Sequence, residues 1–337
     1  MSSFAARLLA WFDLYGRRDL PWQHPRTLYR VWISEVMLQQ TQVRTVVPYF
    51  ERFVARFPNL LALADASVDE VLALWSGLGY YSRARNLHRA TQLCRQRGDL
   101  PDRFDQLLAL PGIGKSTAGA ILSQALGRRH AILDGNVRRV LTRFHCVDGD
   151  PRSSGNEARL WSLAEAFMPH ERLADYTQAM MDLGATVCTR TAPACGDCPV
   201  RGNCKAYQQG LVAKYPMPRA RRMRPLRTRA FLWMSDAQQR VALAKRPAVG
   251  IWGGLFAFPD GDSIADVCHA LRVAIPSGDA DVTVRHEFTH FSLDMQVWCI
   301  RVECNAVDDH GLSWFALQDA LSLGLPQPVR RMIEDRL

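Results

Sequence analysis

The stretch from Leu107 to Cys146, LLALPGIGKSTAGAILSQALGRRHAILDGNVRRVLTRFHC, constrains the fold more than any other part of the chain. An apolar run (Leu107, Leu108, Leu110) leads into Pro-Gly-Ile-Gly, and a second helical pattern starts at once. Pro111, Gly112 and Gly114 allow a tight turn around Ile113 whose backbone N–H groups are left uncovered by side chains. At a helix start such N–H groups, with the positive end of the helix dipole, make a seat for phosphate, and Lys115 and Ser116 stand beside it. An ordinary helix–turn–helix corner would use the same residues. Further on, Ala131-Ile132-Leu133 runs into Asp134-Gly135-Asn136, after which Val137, Val140, Leu141 and Phe144 at i, i+3, i+4 and i+7 predict another helix. Asp134 therefore precedes a helix N-terminus, where a carboxylate is favoured in its charged form. It serves there as a simple cap, or as the charge of an enzyme acting on nucleic acid.

With 337 residues the chain has room for two domains, each with its own core, and its net charge of +9 suits a polyanionic partner. No apolar run approaches a membrane span, so no membrane partner is expected. Phe4, Leu8, Leu9, Trp11, Phe12 and Tyr15 read as an amphipathic first helix rather than a signal peptide. Nine cysteines, odd in number and unevenly spaced, argue for a reducing, cytoplasmic interior rather than a disulfide scaffold.

Residues 1–215 read as mostly helical. Leu20-Pro21-Trp22 puts a large aromatic at a helix boundary. The segment from Val31 to Leu38 is apolar almost all round except for Glu35. A lone acid in such a helix is desolvated and its pKa raised toward that of a general acid, unless it points to solvent at the helix edge. Aliphatics from Leu60 to Leu74 read as core. Trp75 to Leu87 breaks the pattern, and its glycines, Tyr80, Tyr81, Arg83 and Arg85 form either a plain loop or one able to wedge into a duplex and grip phosphates. Cys188, Cys195, Cys198 and Cys204 are close enough in a cytosolic chain to hold metal, and their spacing lacks the two similar knuckles usual for zinc. Arg190, Arg201 and Lys205 around them would face a phosphate backbone, while Cys94, Cys146, Cys268, Cys299 and Cys304 read as core or surface thiols. Residues 216–229, rich in Pro and Arg and without an acid, form a linker. From 230 to 337 the period changes to that of an α+β domain. Phe231, Trp233, Val241 and Leu243 alternate as strands do, Leu293 to Val302 reads as a strand apolar on both faces, and one helix carries Ile264, Val267, Cys268, Leu271 and Ile275. Val329, Met332 and Ile333 suggest another helix.

LPGIG, a helix and then LDGNV resemble the helix-hairpin-helix DNA glycosylase superfamily. The match extends to LPW at Leu20, VWISEVMLQQTQV at Val31, GLGYYSRARNL at Gly77, GIWGGLFAFP at Gly250 and FTHFSLDM at Phe288, and so resembles the adenine DNA glycosylases of the MutY type. The resemblance implies a mostly α N-terminal part (1–215), a six-helix barrel plus an iron–sulfur module whose four cysteines hold a 4Fe–4S cluster. It implies a Nudix-like α+β domain at 230–337. The expected substrate is double-stranded DNA with adenine opposite 8-oxoguanine or G, acted on by a cytoplasmic, bacterial-type monomer held at the nucleoid through DNA.

Position by position, the resemblance makes Glu35 the acid that protonates adenine and Asp134 the group that stabilises or attacks the sugar, with Tyr80 and Asn136 in support. Trp22, Leu38 and Gln178 would line the adenine pocket, and Gln40 and Tyr80 would enter the base stack while the adenine is flipped out. DNA would also be held by Arg83, Arg85 and the hairpin from Pro111 to Ser116, and 8-oxoguanine read by Phe288, Thr289 and His290. Ser116 stands where bifunctional relatives carry a Schiff-base lysine, which implies a monofunctional enzyme; Thr289 stands where the family usually has Ser; the magnesium-holding glutamates of a Nudix hydrolase are missing. Excision of oxidised pyrimidines or mismatched thymine, and damage binding or redox signalling by an inactive relative, are the competing functions.

Overall fold

A computed structural model describes residues 3–217, 223–302 and 311–337. Part of the expected linker and Cys304 lie outside the described residues. The chain gathers into two compact units, Met1–Ala64 with Arg89–Ala220, and Asp65–His88 with Arg221–Leu337. No helix among the described residues is long and apolar enough to cross a membrane.

In chain order the helices up to residue 208 are α1 (Phe4–Tyr15), α2 (Leu28–Leu38), α3 (Val43–Arg56), α4 (Leu60–Asp65), α5 (Val68–Trp75), α6 (Ser82–Cys94), α7 (Phe104–Leu108), α8 (Lys115–Leu126), α9 (Gly135–His145), α10 (Ser154–Ala166), α11 (Leu173–Asp182) and α12 (Lys205–Gln208). All but α5 and most of α6 belong to the first unit. Helix α2 is capped by Thr27, which accepts a hydrogen bond from Arg30 N, and it buries Tyr29, Val31, Trp32, Ile33, Ser34, Val36 and Met37. A helix so apolar on every side belongs at the centre of a bundle, and α2 packs against α8 and α3. Around α1, Phe4, Leu8 and Phe12 join Val137, Val140, Leu141 and Phe144 of α9 in one core, with the Phe4 and Phe144 rings edge to face at 5.0 Å.

Two glycines let backbones approach where side chains would collide. A Cβ on Gly119 of α8 would lie 2.4 Å from the Ala131 carbonyl oxygen, so α8 presses directly on the segment leading to Asp134. Helix α11 runs on into a single π-helical turn, Leu183–Val187, and a Cβ on Gly184 there would lie 2.5 Å from that of Asn136.

The second unit is built on a mixed sheet of β1 (Leu226–Ser235), β2 (Val241–Lys245), β3 (Phe256–Ala257), β4 (Asp260–Gly261), β5 (Val282–Glu287), β6 (Ser292–Arg301) and β7 (Leu312–Phe315), in the order β3-β2-β1-β6-β5 with β4 on β1 and β7 on β2. β1 and β6 pair in parallel from Leu226↔Ser292 to Ser235↔Arg301; every other pairing is antiparallel. The strand buried on both faces is β1, with Ala230 to Met234 all inside, whereas β6 alternates: Leu293, Met295 and Val297 are buried and Asp294 and Gln296 are half-buried. The sequence expectation had this the other way round, because Trp298, Cys299 and Ile300 give β6 an apolar run near its end. Val267, Cys268 and Leu271 of α13 (Ile264–Leu271) cover one face, and the helix ends at Arg272 in the left-handed region, leaving Ile275 outside it and exposed. Short helix α14 (Leu317–Ala320) precedes α15 (Gln327–Glu334), which buries Val329 and Ile333 as its sequence spacing predicts.

The segment Asp65–His88 belongs to this unit through its own hydrogen bonds. Ser76 Oγ and Tyr81 OH both donate to the Leu325 carbonyl at 3.0 Å, Arg85 donates to the Gly253 carbonyl, and Lys245 pairs with Asp69. The long loop expected from Trp75 to Leu87 is shorter than its composition suggests: α6 begins at Ser82, so Arg83 and Arg85 lie in its first turn.

Candidate active site

Three elements of the first unit bring polar groups into one otherwise apolar region: α2 supplies Glu35, α8 supplies Gln124, and the N-terminus of α9 supplies Asp134 and Asn136. Gln124 Nε2 donates to Glu35 Oε1 at 2.9 Å. Glu35 keeps some solvent-accessible surface yet is enclosed by protein on nearly every side. Desolvation pushes its pKa up to about 8, the charge of Asp134 pushes the same way, and the Gln124 hydrogen bond opposes both.

Asp134 is the N-cap of α9. Its Oδ1 accepts from Val137 N at 2.8 Å and its Oδ2 from Asn136 Nδ2 at 3.2 Å. Burial raises its pKa, while these donors and the Arg139 guanidinium lower it, and the net direction is upward. The helix terminus alone therefore does not set its charge, as the sequence suggested; desolvation outweighs it. Of the two carboxyls Asp134 has the donors and the cation, so it is the one to carry the negative charge while Glu35 holds the proton.

The hairpin positions this aspartate. Gly112 sits at φ +80, Ile113 is buried, and Gly114 caps α8 with no side-chain hydrogen bond, which leaves the first N–H groups of the helix for another acceptor. Pro111 is half-buried, and Gly114 and Lys115 are exposed. Ser116 Oγ accepts from Leu133 N at 3.1 Å, tying the start of α8 to the residue before Asp134. Lys115 turns to Glu165 at 3.4 Å and to the Trp161 ring, 4.0 Å from its centroid.

Other expected pocket residues are more deeply engaged. Trp22 is fully buried edge-on against Phe50, Leu38 is half-buried at the end of α2, and Gln178 donates to Asp182 at 2.7 Å, where Asp182 also holds Arg17 at 2.6 Å. Gln40 is exposed with φ +60, a left-handed conformation that a non-glycine residue adopts at a cost.

In the second unit the structure brings Tyr80 to Thr289, hydroxyl to hydroxyl at 3.5 Å. Tyr80 also has a left-handed backbone, φ +50, and is 45% exposed. Thr289 and His290 are exposed on the turn between β5 and β6, while Phe288 stacks on Phe291 at 4.5 Å and packs against Trp252. Arg83 is buried, donates to the Gly79 carbonyl at 3.0 Å and lies near the Trp75 and Tyr80 rings; with Arg85 on the Gly253 carbonyl, both arginines brace the loop from inside.

Cys188, Cys195, Cys198 and Cys204 are unpaired thiols lining one cavity with Val140, Arg143, Phe144 and Leu183. Among the described residues no three His, Cys, Asp or Glu side chains converge closely enough for a single metal ion. Burial pushes the Cys198 thiol up to about 11. Helix α9 connects this cavity to Asp134. Arg139 donates to Asn136 Oδ1 at 2.8 Å, the Gly184 carbonyl at 2.6 Å and the Cys188 carbonyl at 2.7 Å. Arg143, four residues on, reaches Cys188 Sγ at 3.3 Å and the carbonyls of Thr189, Arg190 and Tyr215.

Sequence reasoning missed Gln124 and Arg139. Gln124 could have been found, because Ala120 and Ile121 put position 124 on the buried side of α8, where an amide is out of place.

The family profile described as HhH-GPD superfamily base excision DNA repair protein matches residues 33–166, and that of the NUDIX domain matches 230–335. An adenine DNA glycosylase of Buchnera aphidicola subsp. Acyrthosiphon pisum is 37% identical over 98% of this chain and 97% of its own length. The chain belongs to the adenine DNA glycosylase family. The adenine DNA glycosylase of Mus musculus is 44% identical over 62% of this chain and 42% of its own length. A thermostable thymine-DNA glycosylase, 27% identical, superposes with a TM-score of 0.56 over 61% of this chain and 95% of that one. As a member of the adenine DNA glycosylase family the chain is an enzyme that joins a helical, endonuclease III-like region to a Nudix-like domain with a mixed sheet.

Proposed function

We propose that this enzyme hydrolyses the N-glycosidic bond of adenine mispaired with 8-oxoguanine, or with G, in duplex DNA. The observation that carries the chemistry is the pair of carboxyls with opposite tendencies, Glu35 raised to about 8 and Asp134 held by Val137 N, Asn136 and Arg139. Glu35 gives its proton to N7 of the extruded base. The C1′–N9 bond then breaks with its electron pair leaving on the purine. Asp134 stabilises the oxocarbenium-like sugar, or attacks it to form a transient acetal, and water supplies the final oxygen. Ser116 offers no amine for a Schiff base, and its hydroxyl already holds Leu133 N, which supports base removal without strand cleavage.

The hairpin with its uncapped α8 terminus would receive a phosphate, and Gln40 and Tyr80, both exposed in left-handed conformations, are the side chains offered to the base stack. The four thiols lining one cavity are the all-sulfur donor set that a 4Fe–4S cluster takes. Held by Cys188, Cys195, Cys198 and Cys204, such a cluster would supply a rigid anchor for the loop that carries Arg190 and Arg201. Adenine is favoured over mismatched thymine as substrate because the relative matching nearly end to end is an adenine DNA glycosylase, whereas the thymine-DNA glycosylase matches only 61% of the chain. The deciding experiment is single-turnover release of free base from duplexes with A opposite 8-oxoguanine, A opposite G and T opposite G. Thymine release faster than adenine release would overturn the reading.

The neighbourhood of Tyr80 and Thr289 supports recognition of the opposite base by the second unit. A Thr289→Ala, His290→Ala double substitution is expected to lower the ratio of release from A opposite 8-oxoguanine to release from A opposite G by about tenfold, the worth of one good discriminating contact. Both rates falling together at a constant ratio would leave the turn with no recognition role.

A further inference from the structure

Gln124 is 3% exposed and its two amide ends are treated very differently. Nε2 donates to Glu35 Oε1 at 2.9 Å, while Oε1 is fully buried and has no hydrogen-bond partner. Buried carbonyls without a partner are rare in folded proteins and need a reason. Here the orphan lies beside the carboxyl that the proposed reaction uses. With Oε1 of Glu35 occupied by the amide, the proton of Glu35 resides on Oε2. The pair then presents one donor, Glu35 Oε2–H, and one acceptor, Gln124 Oε1. Adenine carries the complement on its Hoogsteen edge, an acceptor at N7 and a donor at N6; guanine and hypoxanthine carry acceptors at both N7 and O6.

We propose that Gln124 is a specificity-determining residue: its Oε1 accepts the N6–H of the extruded adenine while Glu35 addresses N7. This rests on the reading of Glu35 as the acid, and adds a second contact that rejects 6-oxopurines by placing carbonyl against carbonyl. The amide also holds Glu35 in the orientation that leaves Oε2 free.

The test is single-turnover base release from duplexes carrying adenine, unsubstituted purine or hypoxanthine opposite G, each rate divided by that of acid depurination of the same nucleoside. Wild type is expected to favour adenine over both analogues by about tenfold or more. Gln124→Leu, and Gln124→Met as a second variant if Leu lowers the melting temperature, should release adenine more slowly and bring the three normalised rates within about twofold of one another. Unchanged discrimination in a folded variant would overturn the role of Gln124 while leaving Glu35 as the acid. Wild-type protein that releases no adenine, or a Glu35→Gln variant as active as wild type, would overturn both.

Discussion

Glu35→Gln and Asp134→Asn are each expected to slow single-turnover adenine release by about 10²–10⁴-fold, the usual worth of a positioned acid or its charged partner. Affinity for the duplex should change little, because binding energy comes from phosphate contacts rather than from the two carboxyls. The pH dependence follows from the site. Glu35 must be protonated and Asp134 ionised to act, so once Asp134 has lost its proton the wild-type rate should hold up to about pH 8 and fall about tenfold per unit above it. Stability has a matching signature. Between the ordinary 4.5 and about 8 the folded chain holds a proton on Glu35 that the unfolded chain has lost, so stability declines as pH rises through that window. Glu35→Gln should flatten this decline and melt above wild type at pH 8.5. Near wild-type release by either variant with the fold intact would remove the substituted residue from the chemistry.

Protein purified without oxygen is expected to be brown and to carry about four irons per chain, and Cys198→Ser should lose both colour and iron. The variant should also melt lower by roughly 10 °C, since a structural metal site contributes several kcal/mol to a fold of this size. The cavity explains why the loss is so large. Cys188, Cys195, Cys198 and Cys204 come from short 3₁₀ turns and irregular chain, so once the thiols lose a common ligand the stretch rests on turn hydrogen bonds and on braces such as Arg143 and Arg139 at its carbonyls. Stoichiometric zinc without iron in such preparations would show that the cavity holds a different ion.

Much of the site is legible in the sequence because it is local. The hairpin and Asp134 announce themselves through turn glycines, a cap position and an apolar period, all of which act within a few residues. Glu35 is legible for a related reason, as the one acid on a largely apolar helix. What escapes is whatever depends on a partner distant in sequence. Arg85 looks like a surface cation until the Gly253 carbonyl, 168 residues away, is brought to it. Gln124 looks like an ordinary helix former until Glu35, 89 residues away, meets its amide. The exchange of character between β1 and β6 has the same origin: the second layer over β1 is decided by elements that follow it in the chain.

Peptide connectivity and folding unit do not coincide in this protein. The second unit takes Asp65–His88 from the middle of the helical region and joins it to the chain after Arg221. Ser76 and Tyr81 on the Leu325 carbonyl, Arg85 on Gly253 and Lys245 on Asp69 are the rivets. A recombination event that exchanged only the chain from Leu226 onward between two such genes would pair a new sheet with an old α5–α6 corner. A side-chain pair across that join, Lys245 with Asp69, would have to be matched afresh in both offspring, whereas moving the two segments together would keep it. The unit of inheritance that preserves the fold is thus discontinuous along the gene, and a nick in the connecting segment near residue 220 would leave two polypeptides still sharing one folded body.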